Sequence, residues 1–379
     1  APGADVIQRA LGRAIVQYWK DKKGDPGRFL RFIKEHDWHE TCEVTGELKR
    51  CPVPLSQPVQ DEWWAEAGKV YFGREWGDEL LADLYGGVEA VAWVRHEDGE
   101  DSQDKRRRVL EWLGVAACPR VVVVRKPDAM NVWELPADCN NWKKYLDTAH
   151  DAYGRWVSRI SDISKIDHLD LGSLNSEQAI LLVRLFAKHW DYYCDKAETT
   201  AHGAHSREQY YRLWKVKAKW WWEVCEQLPL PRRDRGAEHV ALIALWLLDK
   251  RTERVMGDVL PVIDLDPFGD DKNTVREWLV GAAGLRTRME QLAVEEWKEL
   301  LSTRIPEVAP PERLITDERL RDKVTGWYTA CLETVADDNV SEGVFADCPL
   351  LCRKGNEWEY VGTGESRYLD DDNDFAKAF

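Results

Sequence analysis

The chain has 379 residues, with 53 Lys+Arg against 68 Asp+Glu and a formal charge of −15, enough length for two or three domains that each bury a core. A content of 44% hydrophobic and 32% charged residues excludes wholesale disorder, and the acidic balance sets the chain as a whole against coating DNA or an anionic membrane. The longest clean apolar run, Val240 to Leu248, is far too short to span a bilayer.

The chain starts Ala1-Pro2-Gly3 without an initiator Met, and no basic stretch leads into an apolar one, so no signal peptide is legible. The start fits an excised piece of a longer protein as well as it fits processing. Ile7, Leu11, Ile15, Tyr18 and Trp19 then recur at helical spacing, with Asp5 as an early cap. Gly24 to Gly27 breaks that helix, and a short one follows through Phe29, Leu30 and Ile33. His39 to Gln60 reads as loop. Lys69 to Gly73 is a short aromatic strand, followed by a helix near Asp78 to Tyr85, an acidic loop, and a helix carrying Val109, Leu110 and Leu113. Val121 to Val124 is four β-branched residues in a row and the clearest strand.

The middle reads as three helices, Asn141 to Ile160, Asn175 to Tyr193 and Ser206 to Gln227, the last stopped by Pro229 and Pro231. A buried helix Ala237 to Leu248 and a strand Val259 to Leu265 come next. Helices follow near 273–284, 290–304 and 316–336, and a hairpin pairs Leu350–Arg353 with Trp358–Val361 around Lys354-Gly355-Asn356. The fold class is therefore α+β, predominantly helical with several short strands. The expected divisions are 1–60, 61–136, 137–257 and 258–379.

One internal echo stands out. Val109-Leu110-Glu111-Trp112-Leu113 resembles Val275-Arg276-Glu277-Trp278-Leu279, each downstream of a strand and an acidic stretch. The expected strands are Val70 to Phe72 for the first copy and Val259 to Leu265 for the second. A third strand-plus-acid unit stands at Trp358 to Asp374. A diverged strand–helix module in two and a half copies accounts for this, against the alternative of chance likeness between Trp-Leu strings. The 20 Trp fall mostly on predicted helix faces with Leu, Val and Tyr, which reads as core and inter-module packing.

Nine Cys, odd in number and irregularly spaced, do not form a disulfide framework and read as reduced, cytoplasmic thiols. His36, His39 and Cys42, with Cys51 nine residues on, are a candidate tetrahedral zinc set. Both His precede both Cys, which departs from zinc-finger spacing, and the alternative is a polar helix end beside unrelated thiols. For nucleic acid the candidates are Arg212, Lys215, Lys219 and Trp222, on a predicted helix with a basic face beside an aromatic one. The plain reading of that helix is an amphipathic element with a solvated side. His202-Gly-Ala-His205 reads as a surface loop. Asp128 with Glu134, and Asp264 with Asp266, lack the Lys that a Mg²⁺-dependent nuclease needs. With no P-loop, no G-x-S-x-G and no G-x-G-x-x-G present, no catalytic residue is assigned.

Several strings in order resemble the large bacterial sacsin-like proteins. They are Lys69-Val-Tyr-Phe-Gly-Arg-Glu-Trp-Gly77, Leu84-Tyr85-Gly86, Glu111 to Val115 with Pro119-Arg120, and His189 to Tyr193. Further along come Trp220 to Pro231, Leu260 to Asp264 with Gly284 to Thr287, and Tyr368 to Asp371. The resemblance covers about residues 60–379 and departs from the family where a Trp is expected within Leu228-Pro-Leu-Pro231. It implies a parent with a GHKL-type ATPase domain, related to the chaperone ATPases and found among anti-phage genes. This chain has no D-x-G-x-G and no E-x-x-x-N box, so the resemblance implies a non-catalytic region downstream of the ATPase. The expected partner is then a protein, or that ATPase domain. The alternative is a nucleic-acid-binding or processing subunit of a defence system.

Overall fold

Alternation rather than loop character governs the residues after Cys51. In the computed structural model, Pro52–Val59 (β1) runs antiparallel to Glu62–Glu66 (β2), with Val53 and Leu55 buried. The structure describes residues 13–14, 17–22, 28, 48–96, 103–125, 130–149, 156–203, 212–233, 239–335, 348–354 and 357–362. The prolines that suggested a loop are tolerated because β1 is irregular between Pro54 and Val59, and bulged or edge strands can spare N–H donors. Gln60 and Asp61, both at positive φ, close the hairpin in the manner of a tight two-residue turn.

A 3₁₀ turn, Ala67–Lys69, leads into Val70–Tyr71 (β3), then Glu79–Leu84 (α1), Ala92–Trp93 (β4) and Gln103–Leu113 (α2). β3 pairs parallel with β4 on one side and bridges Ala116, also parallel, on the other. The two helices are thus the crossovers that parallel strands require. Gly114, at φ +105°, turns the chain from α2 back to the sheet, a backbone state costly for any residue with a Cβ. Trp19, in the helical stretch at residues 17–21, packs on this core and donates its indole N–H to the Pro52 carbonyl.

The chain continues through Val121–Arg125 (β5), Met130–Asn131 (β6), Val157–Ile160 (β7), Ile163–Ile166 (β8), Glu198–Gly203 (β9) and Arg212–Lys217 (β10). The helices among them are Asn140–Thr148 (α3), Ser176–Lys188 (α4), Trp190–Tyr193 (α5) and Lys219–Gln227 (α6). β5 pairs with β8, and β6-β7-β9-β10 form one antiparallel sheet. Its inner row, Met130, Ile160, Ala201 and Trp214, packs on Trp142 and Leu146 of α3. The α4 N-terminus is fixed by a capping box between Asn175 and Gln178.

Two expected long helices are corrected here. Asn141 to Ile160 is helical only to Thr148 and re-enters as strand β7; Ser206 to Gln227 contains strand β10 before α6 starts at Lys219. In both, Trp, Val, Ile and Leu satisfy either period over a short window. Cross-strand pairing with β9, itself unanticipated, decides between them.

The chain divides into two compact units, Ala1–Leu228 and Pro229–Phe379, so the division falls at Leu228 rather than at 257. The second unit opens with Pro229–Pro231 (β11) against His239–Ala241 (β12), where a buried helix was expected. A 3₁₀ turn, Leu242–Ala244, is followed by Lys250–Met256 (α7) and Lys272–Gly281 (α8). Val294–Glu299 (α9) runs through a π turn into Ile305–Val308 (α10), ahead of Pro311–Thr316 (α11) and Glu318–Val335 (α12). Pro349–Lys354 (β13) and Glu357–Gly362 (β14) form the expected hairpin, and Leu351 joins the core of this unit with Trp297, Trp327 and Ile305.

The sequence echo has a structural basis. Trp246 bridges Val262 on one side and Arg286 on the other, both parallel, as Tyr71 does Trp93 and Ala116. Individual backbone bonds match. Phe72 N–H to Ala116 O (2.9 Å) corresponds to Leu247 N–H to Arg286 O (3.0 Å), and Val94 N–H to Tyr71 O (2.9 Å) to Ile263 N–H to Trp246 O (3.0 Å). Arg95 N–H to Pro54 O and Asp264 N–H to Pro231 O, each 2.9 Å, tie the return strand to the hairpin in both copies. Gly284, at φ +70°, stands where Gly114 does. Each copy is a hairpin, a 3₁₀ turn, a central strand, a helix, a return strand, a second helix and a glycine turn. The strand register changes, however: Leu245 to Leu247 is the counterpart of Val70 to Phe72, and the segment expected to match it, Val259 to Leu265, matches the return strand instead.

Among the described residues nine tryptophans are buried: Trp19, Trp76, Trp142, Trp220, Trp221, Trp246, Trp278, Trp297 and Trp327. Several donate to carbonyls far along the chain, Trp142 to Lys217 (3.2 Å), Trp220 to Lys196 (2.7 Å) and Trp327 to Val255 (2.5 Å). Each of these three rings therefore contributes apolar burial and a directional tie between elements.

Candidate functional site

The zinc candidates His36, His39 and Cys42 lie outside the described residues. Cys51 is fully buried in the core of the first module, and burial pushes its thiol up to about 12, with only partial relief from the Lys20 charge. Zinc takes thiolate rather than thiol, so Cys51 in this apolar setting is a packing residue. Among the described residues no group of three His, Cys, Asp or Glu is placed to hold a metal ion.

The predicted basic helix is taken apart by the fold. Lys219 is buried, 2.7 Å from Glu223 Oε1, which commits its charge internally. Trp222 packs against the inner sheet cluster and stacks on Tyr145 at 6.4 Å. Arg212 and Lys215 are three apart on strand β10, so the two positions fall on opposite faces of the sheet. The shared face expected of Arg212, Lys215 and Lys219 does not exist. Elsewhere, Arg107 pairs with Asp78 at 2.8 Å and Arg233 with Glu253 at 2.6 Å.

Lys215 instead joins residues that the sequence reading did not select. Strand pairing aligns Asn131, Arg159, His202 and Leu213 in one outward row, and Thr200 with Lys215 in the next. Ser161, whose N–H donates to Thr200 O at 3.0 Å, extends the second row. Arg159 Nε donates to Asn131 Oδ1 at 3.0 Å, and Ser161 Oγ lies 3.2 Å from His202 Nε2. Burial, with the nearby Arg159 charge, lowers the His202 pKa, so the ring is held toward its neutral form. His202 is thus a strand residue, not part of a loop. Trp156, one residue before the buried Val157, is 63% exposed and Leu213 is 62% exposed. No helical template could find this face, because its members come from four strands.

A second polar cluster lies under the first module. The Arg120 guanidinium sits 4.3 Å from the Tyr71 ring centre, and its Nη2 donates to Val70 O (2.6 Å), Gly114 O (2.8 Å) and Ala67 O (3.2 Å). Tyr71 donates to Asp167 Oδ2 at 3.0 Å and Tyr85 to Asp167 O at 2.7 Å. Burial first, then the Asp167 charge against that of Arg120, raises the Tyr71 pKa, so the phenol stays a donor. His168, at φ +55°, holds its ring against both tyrosines. This arrangement locks the central strand rather than exposing a reactive group, since Tyr71, Tyr85 and Arg120 are all buried.

On the other side of Tyr85, an open hollow of about 380 Å³ is lined by Gly73, Arg74, Gly86, Gly87, Trp93 and neighbouring residues. Arg74 is committed to Asp83 at its rim. The Asp264–Asp266 pair has a nearby lysine after all: Lys272 Nζ is 3.4 Å from Asp266 Oδ1. Asp264 Oδ1, however, accepts from the Asp266 N–H at 3.0 Å, which makes a local turn of it.

Compared with protein-family models, with curated proteins and with solved structures, the chain matches none.

Proposed function

We propose that this chain is an interaction scaffold of a sacsin-like, chaperone-type ATPase, acting in the bacterial cytoplasm in anti-phage defence. Its role is to bind a protein partner, foremost the ATPase domain of the parent protein, and to pass that domain's nucleotide-driven changes to the partner. The carrying observation is the duplicated module, whose backbone bonds at 54, 71, 72, 94 and 116 recur at 231, 246, 247, 263 and 286. Repetition of one frame with different surface residues is the way chains build extended binding surfaces.

The strings behind the sacsin resemblance support the reading by where they fall. Lys69 to Gly77 spans the central strand and its exit, Glu111 to Val115 the end of α2 and its glycine turn, and Leu260 to Asp264 the return strand of the second copy. They are the joints of the module, the positions a family sharing this frame would keep for geometric reasons. The described cysteines are free and mostly buried, in keeping with a reducing compartment. The hairpin β1–β2 presents Trp63 and Trp64, both about half exposed, as aromatic anchors of the type that dominates protein interfaces.

The test is calorimetric titration of the purified chain, first with Mg-ATP and then with the parent's ATPase domain. Saturable binding of the domain is expected, weakened about tenfold or more by Trp63→Ala with Trp64→Ala, together with no heat from ATP. Saturable ATP binding with hydrolysis by this chain, or no association with the ATPase domain, overturns the reading.

A further inference from the structure

We infer that the open hollow beside Tyr85 binds a guanidinium cation, which stacks on the Trp93 ring while Glu75 and Glu89 balance its charge. The inference does not depend on the scaffold reading.

The two copies of the module carry it, because they differ at this place. The hollow, about 380 Å³, opens where the parallel strands β3 and β4 end, with Gly73 just past β3 and Trp93 closing β4. The carboxyl ends of parallel strands are where crossover folds seat their ligands. The bonds that match Tyr71 to Trp246 and Val94 to Ile263 place Leu248 where Gly73 stands and Val262 where Trp93 stands. Leu248 and Val262 are buried in the core of the second unit, so the frame is filled in one copy and left open in the other. Gly73 is extended, at φ −101°, so no turn requires a glycine there. A Cβ at 73 would come 3.3 Å from Trp93 Cε3 and press on the ring; glycine leaves the ring bare to the hollow.

The charges at the hollow select a cation. Arg74 and Asp83 pair with each other and cancel. Glu75 and Glu89 line the same space, are exposed, and take part in no ion pair among the described residues. The excess is negative, on a chain whose formal charge is −15, so the local and the overall field draw the same sign of ligand. The aromatic wall selects the kind of cation. Three other rings of this module already carry a guanidinium: Arg120 on Tyr71 at 4.3 Å, Arg107 on Phe72 at 4.7 Å and Arg95 on Trp63 at 5.7 Å. Trp93 touches the rings of Tyr71 and Tyr85 and carries no cation among the described residues. A planar, weakly hydrated guanidinium stacks on such a ring while its edge donates to carboxylates. The side-chain oxygens of Ser56 and Gln57, on the same hollow, add acceptors. An anion would meet Glu75 and Glu89 uncompensated.

The experiment is saturation-transfer NMR on the full chain at low salt, with butylguanidinium and its neutral isostere butylurea. Saturable binding of butylguanidinium is expected, with a Kd on the order of 1 mM for one ring and two exposed carboxylates, and none of butylurea. Glu75→Gln with Glu89→Gln should weaken it about five- to tenfold. Gln57→Lys, which brings its own ammonium to an exposed position of the hollow, should act in the same direction. Trp93→Leu should cost about three- to tenfold; because its ring touches two others, thermal melts check its fold, and the exposed variants decide the case if it is unfolded. Glu312→Gln with Glu318→Gln, on the second unit, is the charge control. The peptide acetyl-Gly-Arg-Gly-amide separates the sources of the cation. Binding with the same losses assigns the hollow to an arginine side chain of a protein, and its exclusion while butylguanidinium binds assigns it to a free organic cation. Three outcomes overturn the inference: no saturable binding of butylguanidinium, equal binding of butylurea, and a loss in the Glu75 and Glu89 double variant no greater than in the control pair.

Discussion

Replacing Arg120 by Met tests whether the first module is held together by one buried cation. The Met side chain keeps most of the apolar stem but removes the donors to Val70 O, Gly114 O and Ala67 O and the 4.3 Å contact with the Tyr71 ring. Val70 O still accepts from the Ala116 N–H and Ala67 O from the Val70 N–H, so the carbonyl that loses its donor is that of Gly114, at a cost of about 1–3 kcal/mol, and the ring contact adds roughly 1 kcal/mol. Against this stands the relief of no longer burying a charge, which can be worth several kcal/mol in the opposite direction. Nη2 shares its two hydrogens among three carbonyls and Nη1 is buried without a partner, so this relief offsets part of the loss. The expected net loss is about 2 kcal/mol. Lysine at 120 should recover part of it, because a single ammonium keeps the charge without the planar fork.

Two measurements check this, because two units need not unfold together. Urea unfolding followed by tryptophan fluorescence should show a transition earlier by roughly 0.7 M for a slope near 3 kcal/mol/M. Hydrogen exchange should show lost protection at Phe72 and Ala116, whose N–H groups pair across the strands that Arg120 joins. A destabilisation below about 1 kcal/mol with unchanged exchange at those amides would refute the claim that Arg120 ties the module.

The glycine turns of the two copies should respond unequally to alanine. Gly284→Ala meets open space at φ +70° and should cost about 1 kcal/mol, whereas Gly114→Ala, at φ +105° with Lys49 Cγ only 3.0 Å from the new Cβ, should cost about 2 kcal/mol or more. Equal losses in denaturant titrations would contradict the steric argument. A third expectation concerns acid. Burial first, then the Lys188 and Arg107 charges, lowers the His189 pKa to about 4. Because the folded value lies below the unfolded one, this neutral imidazole costs nothing above pH 6.5 and erodes stability as pH falls from there toward 4, by up to about 3 kcal/mol. His189→Gln should flatten that part of the stability–pH curve, and an unchanged curve would remove His189 as its source.

What the sequence alone fixed were the elements whose signal is local. The four valines of β5, the capped amphipathic α4, the terminal hairpin and the helices α2 and α8 with their shared Glu-Trp-Leu string were legible from period and composition. The repeat itself was legible, because two helices descended from one pattern keep residues that meet the same core. The register of the repeat was not. Which strand answers Val70 to Phe72 depends on bonds to residues about 45 positions downstream in the first copy and about 40 in the second, and no local window contains them.

The candidate sites divided along the same line. The sequence correctly marked Lys215 as a solvent-facing cation, yet grouped it with Lys219 and Trp222, which the fold turns inward to Glu223 and Tyr145. Its partner across the sheet is Thr200 of β9, with Ser161 beyond it. A strand of six residues with Trp, Val and Leu is ambiguous by itself; it becomes a strand when a partner offers its hydrogen bonds. Composition dictated that this acidic, tryptophan-rich chain would build aromatic cores, and tertiary pairing alone decided which polar groups were left standing together outside them.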